Sequence, residues 1–135
     1  GVHLHLFYSC GELYMQKRPA WKDIQPGRWD TAVGGHVDWG EEPLAALRRE
    51  VREEVGVTDF EPQHVLTYLF ESERERELVY VYKTVYDGPV VPSGELDGGR
   101  FWTLREIAEG VGGGIFTPNF EGEIRRVAEL PDVGR

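Results

Sequence analysis

The sequence has few cysteines and no long apolar run, and both absences exclude classes of protein. Cys10 is its one cysteine among 135 residues, so an internal disulfide framework is excluded and a reducing cytoplasm is favoured. Cys10 stands beside Gly11 at a predicted turn, which is typical of a structural or surface residue. No apolar run approaches the roughly 18 residues of a membrane helix, and no signal peptide is evident. We therefore expect a cytoplasmic protein without a membrane partner.

Positive charge is also scarce, with 15 Lys and Arg against 24 Asp and Glu and a formal net charge of −9. This balance disfavours binding to nucleic acid, which requires a basic surface. It does not exclude a phosphorylated small molecule, because a bound divalent metal reverses the local sign of charge. The hydrophobic content of 40% suffices for a core, and the length predicts a single domain over residues 1–135.

The periodicity of apolar residues predicts a sheet with flanking helices. Alternation predicts strands over residues 3–8, 13–16, 29–33, 63–70, 77–86 and 100–103. Helices are predicted over residues 43–55 and 104–109, with a third that begins after Thr117 as N-cap and Pro118 at its first position. This order predicts an α+β fold in which a mixed β-sheet is flanked by helices.

The predicted helix over residues 43–55 carries an apolar stripe and a charged face. Its apolar stripe consists of Leu44, Leu47, Val51 and Val55, and Gly56 is placed to end it.

The charged face joins Glu50, Glu53 and Glu54, which stand at i, i+3 and i+4. Glu41 precedes the helix. Carboxylates crowded in this way repel each other unless they are hydrated, paired with cations or bound to a hard metal ion. At about 100° per residue the acidic face lies beside the apolar stripe, where a cleft can form.

A resemblance decides among these alternatives. The pattern is Gly35, five residues, Glu41, seven residues, then Arg49-Glu50-Val51-x-Glu53-Glu54-x-Gly56-Val57. It resembles the full signature of the Nudix hydrolases, and chance would produce such a match on the order of once in 10⁸ starting positions. The resemblance implies an α/β/α sandwich and hydrolysis of the pyrophosphate bond in a nucleoside diphosphate linked to another group. It also implies Mg²⁺ or Mn²⁺ as cofactor.

The same resemblance assigns roles to individual residues. Its implied metal ligands are Glu50, Glu53, Glu54, the Gly35 carbonyl and, directly or through water, Glu41. Arg49 is implied to hold a glutamate in register by a charge-assisted hydrogen bond. Glu53 is our prediction for the residue that orients or deprotonates the attacking water. Some members of the family recruit this base from a later loop, for which the candidates here are Glu71, Glu73, Glu75, Glu77 and Glu95.

Residues outside the signature are candidates for substrate binding. A loop with two prolines carries Lys17, Arg18, Lys22 and Arg28. This loop is either solvated or faces the phosphates of a substrate. His36 is a candidate because it follows Gly35 directly. Trp39, in the loop before the helix, is a candidate for stacking on a base, although aromatic side chains more often fill cores.

Four segments outside the core of the signature are informative: QKRP (16–19), KDIQPGRWDTAVGGHVDWGE (22–41), ERELVYVYKTVYDG (75–88) and RFWTLREI (100–107). They resemble the branch of the family that is similar to isopentenyl-diphosphate isomerase. In that branch Glu75 and Glu77 fall where the isomerases place two metal-binding glutamates. The isomerases also carry a catalytic cysteine in the strand before the helix, where this sequence has none over residues 31–35. We therefore predict a hydrolase, with an isomerase and a non-catalytic nucleotide-sensing module as the alternatives.

The substrate of the predicted hydrolase stays open. ADP-ribose, a nucleotide sugar, a dinucleotide and a diphosphate-bearing cofactor are all compatible with the signature. A homodimer is compatible as well, since dimers are common in the family.

Overall fold

The computed structural model describes residues 1–22, 24–93 and 98–134, so the candidate base Glu95 lies outside the described residues. Within these ranges the chain forms seven strands and three helices. They are β1 (Val2–Phe7), β2 (Leu13–Lys17), β3 (Trp29–Asp30), β4 (Val33–Gly35), α1 (Pro43–Val55), β5 (Gln63–Glu71), β6 (Arg76–Val85), β7 (Gly99–Trp102), α2 (Leu104–Gly110) and α3 (Pro118–Val127). None of these helices has both the length and the apolar composition that crossing a bilayer requires.

The strands form one mixed sheet with the central order β3-β2-β1-β6-β5. β1 and β6 run parallel, whereas the other pairs are antiparallel. β4 pairs with β1 and β7 pairs with β2, beside the main path. The first two strands form an antiparallel hairpin, in which Leu6 lies opposite Tyr14.

Helices cover both faces of the sheet, because successive residues of a strand point to opposite sides. From β1, Val2, Leu4 and Leu6 join the core that contains the buried residues of α1. His3 and His5 point the other way and contact α3. On this second side the buried residues of β2, α2 and α3 form another cluster. The predicted α/β/α sandwich is confirmed.

The helix α1 begins and ends where the sequence predicts. Gly56 adopts a left-handed conformation with φ of 69°, and its N–H donates to the carbonyl of Arg52. The predicted apolar stripe needs one correction. Leu44 is exposed, and the buried residues are Ala46, Leu47, Val51 and Val55. Leu44 lies in the first turn, which the core does not cover.

The strand predicted over residues 29–33 is two strands. β3 pairs with β2, and β4 pairs with β1, so the chain changes its partner strand between Asp30 and Val33. The Asp30 carboxylate accepts a hydrogen bond from the backbone N–H of Thr31 (2.8 Å) and another from the hydroxyl of Thr117 (2.9 Å). These bonds fix the break and attach it to the start of α3, where Thr117 is the predicted N-cap.

Candidate active site

A cavity of about 800 Å³ opens beside β4, between the acidic helix and the start of α3. Its wall combines acidic, basic and polar side chains from six parts of the chain. The lining residues are His3, Gln16, Arg18, Pro19, Lys22, Ile24, Gln25, Asp30, Thr31, Gly34, Gly35, His36, Glu54, Glu75, Arg76, Glu77, Thr117 and Asn119.

Arg49 ties the loop before α1 to the helix itself. Its Nε and Nη2 donate to the two carboxylate oxygens of Glu41, at 2.9 and 3.0 Å. Its Nη1 donates to Glu50 Oε1 at 2.8 Å, and Nη2 also donates to the carbonyl of His36 at 3.0 Å. Such a fork of donors matches the planar geometry of a carboxylate. Arg49 thus connects Glu41, Glu50 and the carbonyl of His36 through one guanidinium, and its role in catalysis stays a prediction.

Glu41 is already fully engaged in this arrangement. Its hydrogen bonds from Arg49, and a further one from the backbone N–H of Asp38, hold the pKa of its carboxyl at about 2. A direct bond from Glu41 to a metal ion would therefore share or displace the bonds to Arg49. Contact through a water molecule leaves those bonds intact.

Glu50 packs directly on the backbone of Gly35. A Cβ placed on Gly35 would overlap the carboxyl group of Glu50, so only glycine leaves room for this approach. The φ of Gly35 lies outside the left-handed region. The glycine is therefore required for space rather than for conformation. The close packing brings the Gly35 backbone and an acidic side chain together at the edge of the cavity.

Glu54 lies one turn further along α1 and lines the cavity. Gln16 Nε2 donates to Glu54 Oε1 at 2.9 Å, and the same amide donates to the carbonyl of Ala32. Burial is the largest influence on Glu54. Together with a hydrogen bond to Glu50 and the charge of that residue, it raises the pKa of Glu54 to about 8, against the opposing bond from Gln16. In the absence of a cation, the site formed by Glu50 and Glu54 therefore favours one negative charge rather than two.

This donor set fits a hard divalent cation. Carboxylate and carbonyl oxygens are the ligands that Mg²⁺ prefers, and a cation would relieve the repulsion between Glu50 and Glu54. As the side chains stand, no group of three or more His, Cys, Asp or Glu within the described ranges is arranged to hold a metal. Glu53 stands apart, because its side chain is 53% exposed and lies 3.5 Å from Arg49 Nη1.

The acidic residues of the later strands divide into two groups. Glu75 and Glu77 line the cavity, on either side of Arg76. Glu71 lies 3.7 Å from Arg76 in an exposed ion pair, and neither it nor Glu73 belongs to the cavity wall. The structure thus brings Glu75 and Glu77 to the same cavity as Glu54.

The predicted substrate-binding residues are only partly brought together. Arg18, Lys22 and His36 line the cavity, whereas Lys17 and Arg28 do not. Trp39 is fully exposed and lies outside the wall.

Several residues of the wall were not singled out from the sequence. Gln16 is a polar residue in a strand whose other central positions are apolar, and its burial at 6% exposure is the consequence. Glu123 gave a similar signal, since it occupies an inward-facing position among Phe120, Ile124 and Val127. His3, which Glu123 contacts, lines the cavity. A polar residue at an apolar position was the available signal in both cases.

Comparison with known proteins supports the identification by signature. The model of the NUDIX domain matches residues 2–120. An uncharacterized Nudix hydrolase of Pseudomonas aeruginosa is 34% identical over 102 residues, which are 75% of this chain and 60% of that protein. An isopentenyl-diphosphate Delta-isomerase of Serratia proteamaculans is 30% identical over 111 residues, 78% of this chain and 60% of the isomerase. The chain thus spans about 60% of the length of these relatives.

A solved structure shares the fold of this chain. The crystal structure of DR0079 from Deinococcus radiodurans superposes with a TM-score of 0.79 and 25% identity, over 93% of this chain and 80% of that one. The resemblance to isomerase-like members is reflected in the isomerase relative, at modest identity. Since the domain model covers residues 2–120, which are most of the sequence, this chain belongs to the Nudix family.

Proposed function

We propose that this protein is a Mg²⁺-dependent hydrolase that cleaves the pyrophosphate bond of a nucleoside diphosphate linked to another group. The observation that carries the proposal is the contact of Glu50 with both Glu54 and Gly35 at the edge of the cavity. Two carboxylates in contact repel each other and lower the stability of the fold, whereas a bound divalent cation would use both as ligands. Glycine at position 35 allows the close approach that brings them to the cavity.

Glu50, Glu54 and the carbonyl of Gly35 are the groups that would hold Mg²⁺ or Mn²⁺. When bound, the ion neutralises the diphosphate, polarises a P–O bond and lowers the pKa of a water ligand. Arg49 keeps Glu50 and Glu41 in register through its hydrogen bonds. Glu53, more exposed than its neighbours on α1, accepts the proton of the attacking water in this proposal.

The cavity wall supplies the charges that a diphosphate requires. Arg18, Lys22 and Arg76 line it and offer cationic donors in a protein of strongly negative net charge. Such cations hold the non-reacting phosphate oxygens while the scissile bond faces the carboxylates. This arrangement favours a small-molecule diphosphate as substrate.

The test is a turnover assay with Mg²⁺ on a panel of ADP-ribose, nucleotide sugars, dinucleotides and diphosphate-bearing cofactors, with products identified by mass spectrometry. We expect one class of compound to be cleaved at its pyrophosphate bond. Glu54→Gln should lower kcat at least 100-fold, since it removes a charge from the metal site. Glu42→Gln is the matched control, because Glu42 is exposed and its side chain makes no cap hydrogen bond.

Two results would contradict the proposal. Unchanged turnover in Glu54→Gln would show that the metal site proposed on α1 is not required for the reaction. Binding of these compounds without any turnover in the presence of Mg²⁺ would favour a non-catalytic nucleotide-sensing module.

Isopentenyl-diphosphate isomerase is the second candidate, favoured by the isomerase relative and by Glu75 and Glu77 on the cavity wall. Against it, β4 carries no cysteine, and the exposed Cys10 lies outside the cavity wall. Proton transfer to and from a double bond requires an acid and base at the substrate. Conversion of isopentenyl to dimethylallyl diphosphate by the purified protein would establish this activity.

A further inference from the structure

A glutamate is buried between α3 and the sheet. Glu123 is 0% exposed, on the side of α3 that packs on the sheet. Its carboxylate accepts three hydrogen bonds. His3 Nδ1 lies 2.7 Å from Oε2, His5 Nε2 lies 2.8 Å from Oε1, and the hydroxyl of Tyr68 donates to Oε2. Burying a carboxylate at this depth destabilises the fold unless a cation compensates its charge.

His3 is the residue that provides this cation. His5 is fully buried and its Nδ1 has no hydrogen-bond partner within the described residues, so a proton there would be left unpaired. His3 keeps 13% of its side chain exposed and borders the cavity. Burial lowers the pKa of His3, but the hydrogen bond and the charge of Glu123 outweigh it and raise that pKa above its usual value.

The ring of His3 is oriented by this bond. With Nδ1 committed to Glu123, the opposite edge of the ring lies beside Gly34. A methyl group on Gly34 would be 3.8 Å from Nε2. None of the residues that the structure describes forms a hydrogen bond with Nε2. Asn119, in the first turn of α3, lines the same cavity, and a helix start adds partial positive charge to this side.

We propose that His3 binds an anionic oxygen of the diphosphate through its Nε2–H, and that Glu123 is the positioning residue that fixes this ring. The inference rests on the proposed function for the identity of the ligand. It places a cationic donor on the wall of the cavity that Glu54 also lines. Neither residue belongs to the signature by which the family is recognised.

Two substitutions of His3 separate its two hydrogen bonds. His3→Asn places an amide nitrogen near the position of Nδ1, so it keeps a donor for Glu123 and lacks the atom that faces the cavity. His3→Gln places its amide nitrogen near the position of Nε2 and lacks the bond to Glu123. His64→Asn is the matched control, since His64 is exposed and bonded to Thr67 on β5.

The probe is methylenediphosphonate with Mg²⁺, because its P–C–P bridge resists hydrolysis and binding is measured without turnover. By calorimetry we expect His3→Asn to weaken binding about 10- to 100-fold, the value of a hydrogen bond to a charged group, with a thermal midpoint near that of the wild type. His3→Gln should bind more tightly than His3→Asn but melt at a lower temperature. In ¹⁵N NMR spectra of the wild type, the His3 Nε2 resonance should move when the probe is added.

The outcomes separate this inference from the proposed function. Binding by His3→Asn within twofold of the wild type, an unmoved Nε2 resonance, or no binding of the probe by the wild type would each overturn the role of His3. If Glu54→Gln abolishes turnover while His3→Asn leaves KM and probe binding unchanged, only the present inference fails. If no compound is cleaved but His3→Asn weakens probe binding, His3 keeps its role and the hydrolase proposal fails.

Discussion

The Arg49 guanidinium and the Glu41 carboxylate form a two-point contact, with Nε and Nη2 at 2.9 and 3.0 Å from the two oxygens. The contact joins residues eight positions apart and closes the loop between β4 and α1. The third nitrogen of the same guanidinium, Nη1, donates to Glu50. One side chain therefore sets the relative position of the loop and of the first carboxylate in the proposed metal site.

Replacing Arg49 with lysine tests whether this geometry matters beyond charge. Arg49→Lys keeps a positive charge but cannot donate to Glu41 and Glu50 in the same planar arrangement. We expect kcat to fall about 10- to 100-fold, the usual effect of losing a residue that orients metal ligands. Arg52→Lys, an exposed position on the same helix, is the control. Activity of Arg49→Lys within twofold of the wild type would show that charge alone suffices.

Gly35 and Gly34 offer a matched pair of substitutions. A Cβ on Gly35 would overlap the carboxyl group of Glu50, whereas a Cβ on Gly34 would meet its nearest neighbour, His3 Cδ2, at an ordinary 3.5 Å. Gly35→Ala should therefore displace Glu50, lower stability by about 1–3 kcal/mol and weaken activity strongly. Gly34→Ala should change the free energy of unfolding by less than about 1 kcal/mol.

Chemical denaturation of both metal-free variants measures this difference. Equal losses in the two variants would contradict the close packing of Glu50 on Gly35.

The sequence predicted the acidic helix well because its signals are local. Apolar spacing and Gly56 determine where α1 lies, and both are visible within one segment. The break between β3 and β4 was not predicted, since it depends on which strands Asp30 and Gly34 meet across the sheet. Strand pairing at that distance leaves no periodic signal along the chain.

Only those residues of the cavity wall that belong to the signature could be predicted with a defined role. Glu54 and Gly35 were found because the spacing fixes them. His3 and Asn119 lie 116 positions apart in sequence and meet only because α3 returns to the start of β1. The basic loop shows the same limit, since Arg18 reaches the cavity wall and Lys17, its neighbour, does not.

The buried network around Glu123 predicts a specific dependence of stability on pH. Burial alone would raise the pKa of Glu123, but the hydrogen bonds from His3 and His5 and the charge of His3 lower it from 4.5 to about 2. The folded state thus binds fewer protons than the unfolded state in this window. The contribution of Glu123 is present above pH 4.5 and is lost as the pH falls toward 2. Its size is on the order of 3 kcal/mol, since each pKa unit corresponds to about 1.4 kcal/mol.

Thermal unfolding between pH 2 and pH 6 tests this dependence. Glu123→Gln should melt at a lower temperature at pH 6, and it should lose less stability than the wild type as the pH falls below 4.5. Because the pKa of His3 is raised, its own contribution is complete below pH 6.5 and is lost only as the pH rises through that higher value. Parallel acid profiles for the two proteins would contradict an ionised Glu123.

Substitutions of the three carboxylates of α1 should distinguish the residues that bind the metal from the residue that takes up a proton. Glu50 and Glu54 contact each other beside the cavity, whereas Glu53 is half-exposed and paired with Arg49. A ligand that binds only the folded state raises its stability by mass action, so Mg²⁺ should raise the thermal midpoint of the wild type. Glu50→Gln and Glu54→Gln should lose most of this rise. Glu53→Gln should keep most of it and lose turnover by about 10²- to 10⁴-fold, as expected for a general base.

The Mg²⁺-dependent rise in the thermal midpoint and the turnover rate are measured on the same three variants. Together they show whether Glu53 binds the metal like Glu50 and Glu54 or acts on the attacking water. The helical spacing of i, i+3 and i+4 places Glu53 on the same helix face as Glu50 and Glu54, and the resemblance to the family implies that all three are metal ligands. In this structure the side chain of Glu53 is half-exposed, pairs with Arg49 and lies outside the cavity wall. If Glu53→Gln abolishes the Mg²⁺-dependent rise as completely as Glu54→Gln, then Glu53 leaves Arg49 when the metal binds. In that event the base must come from another residue, for which Glu75 and Glu77 on the cavity wall are the next variants to assay.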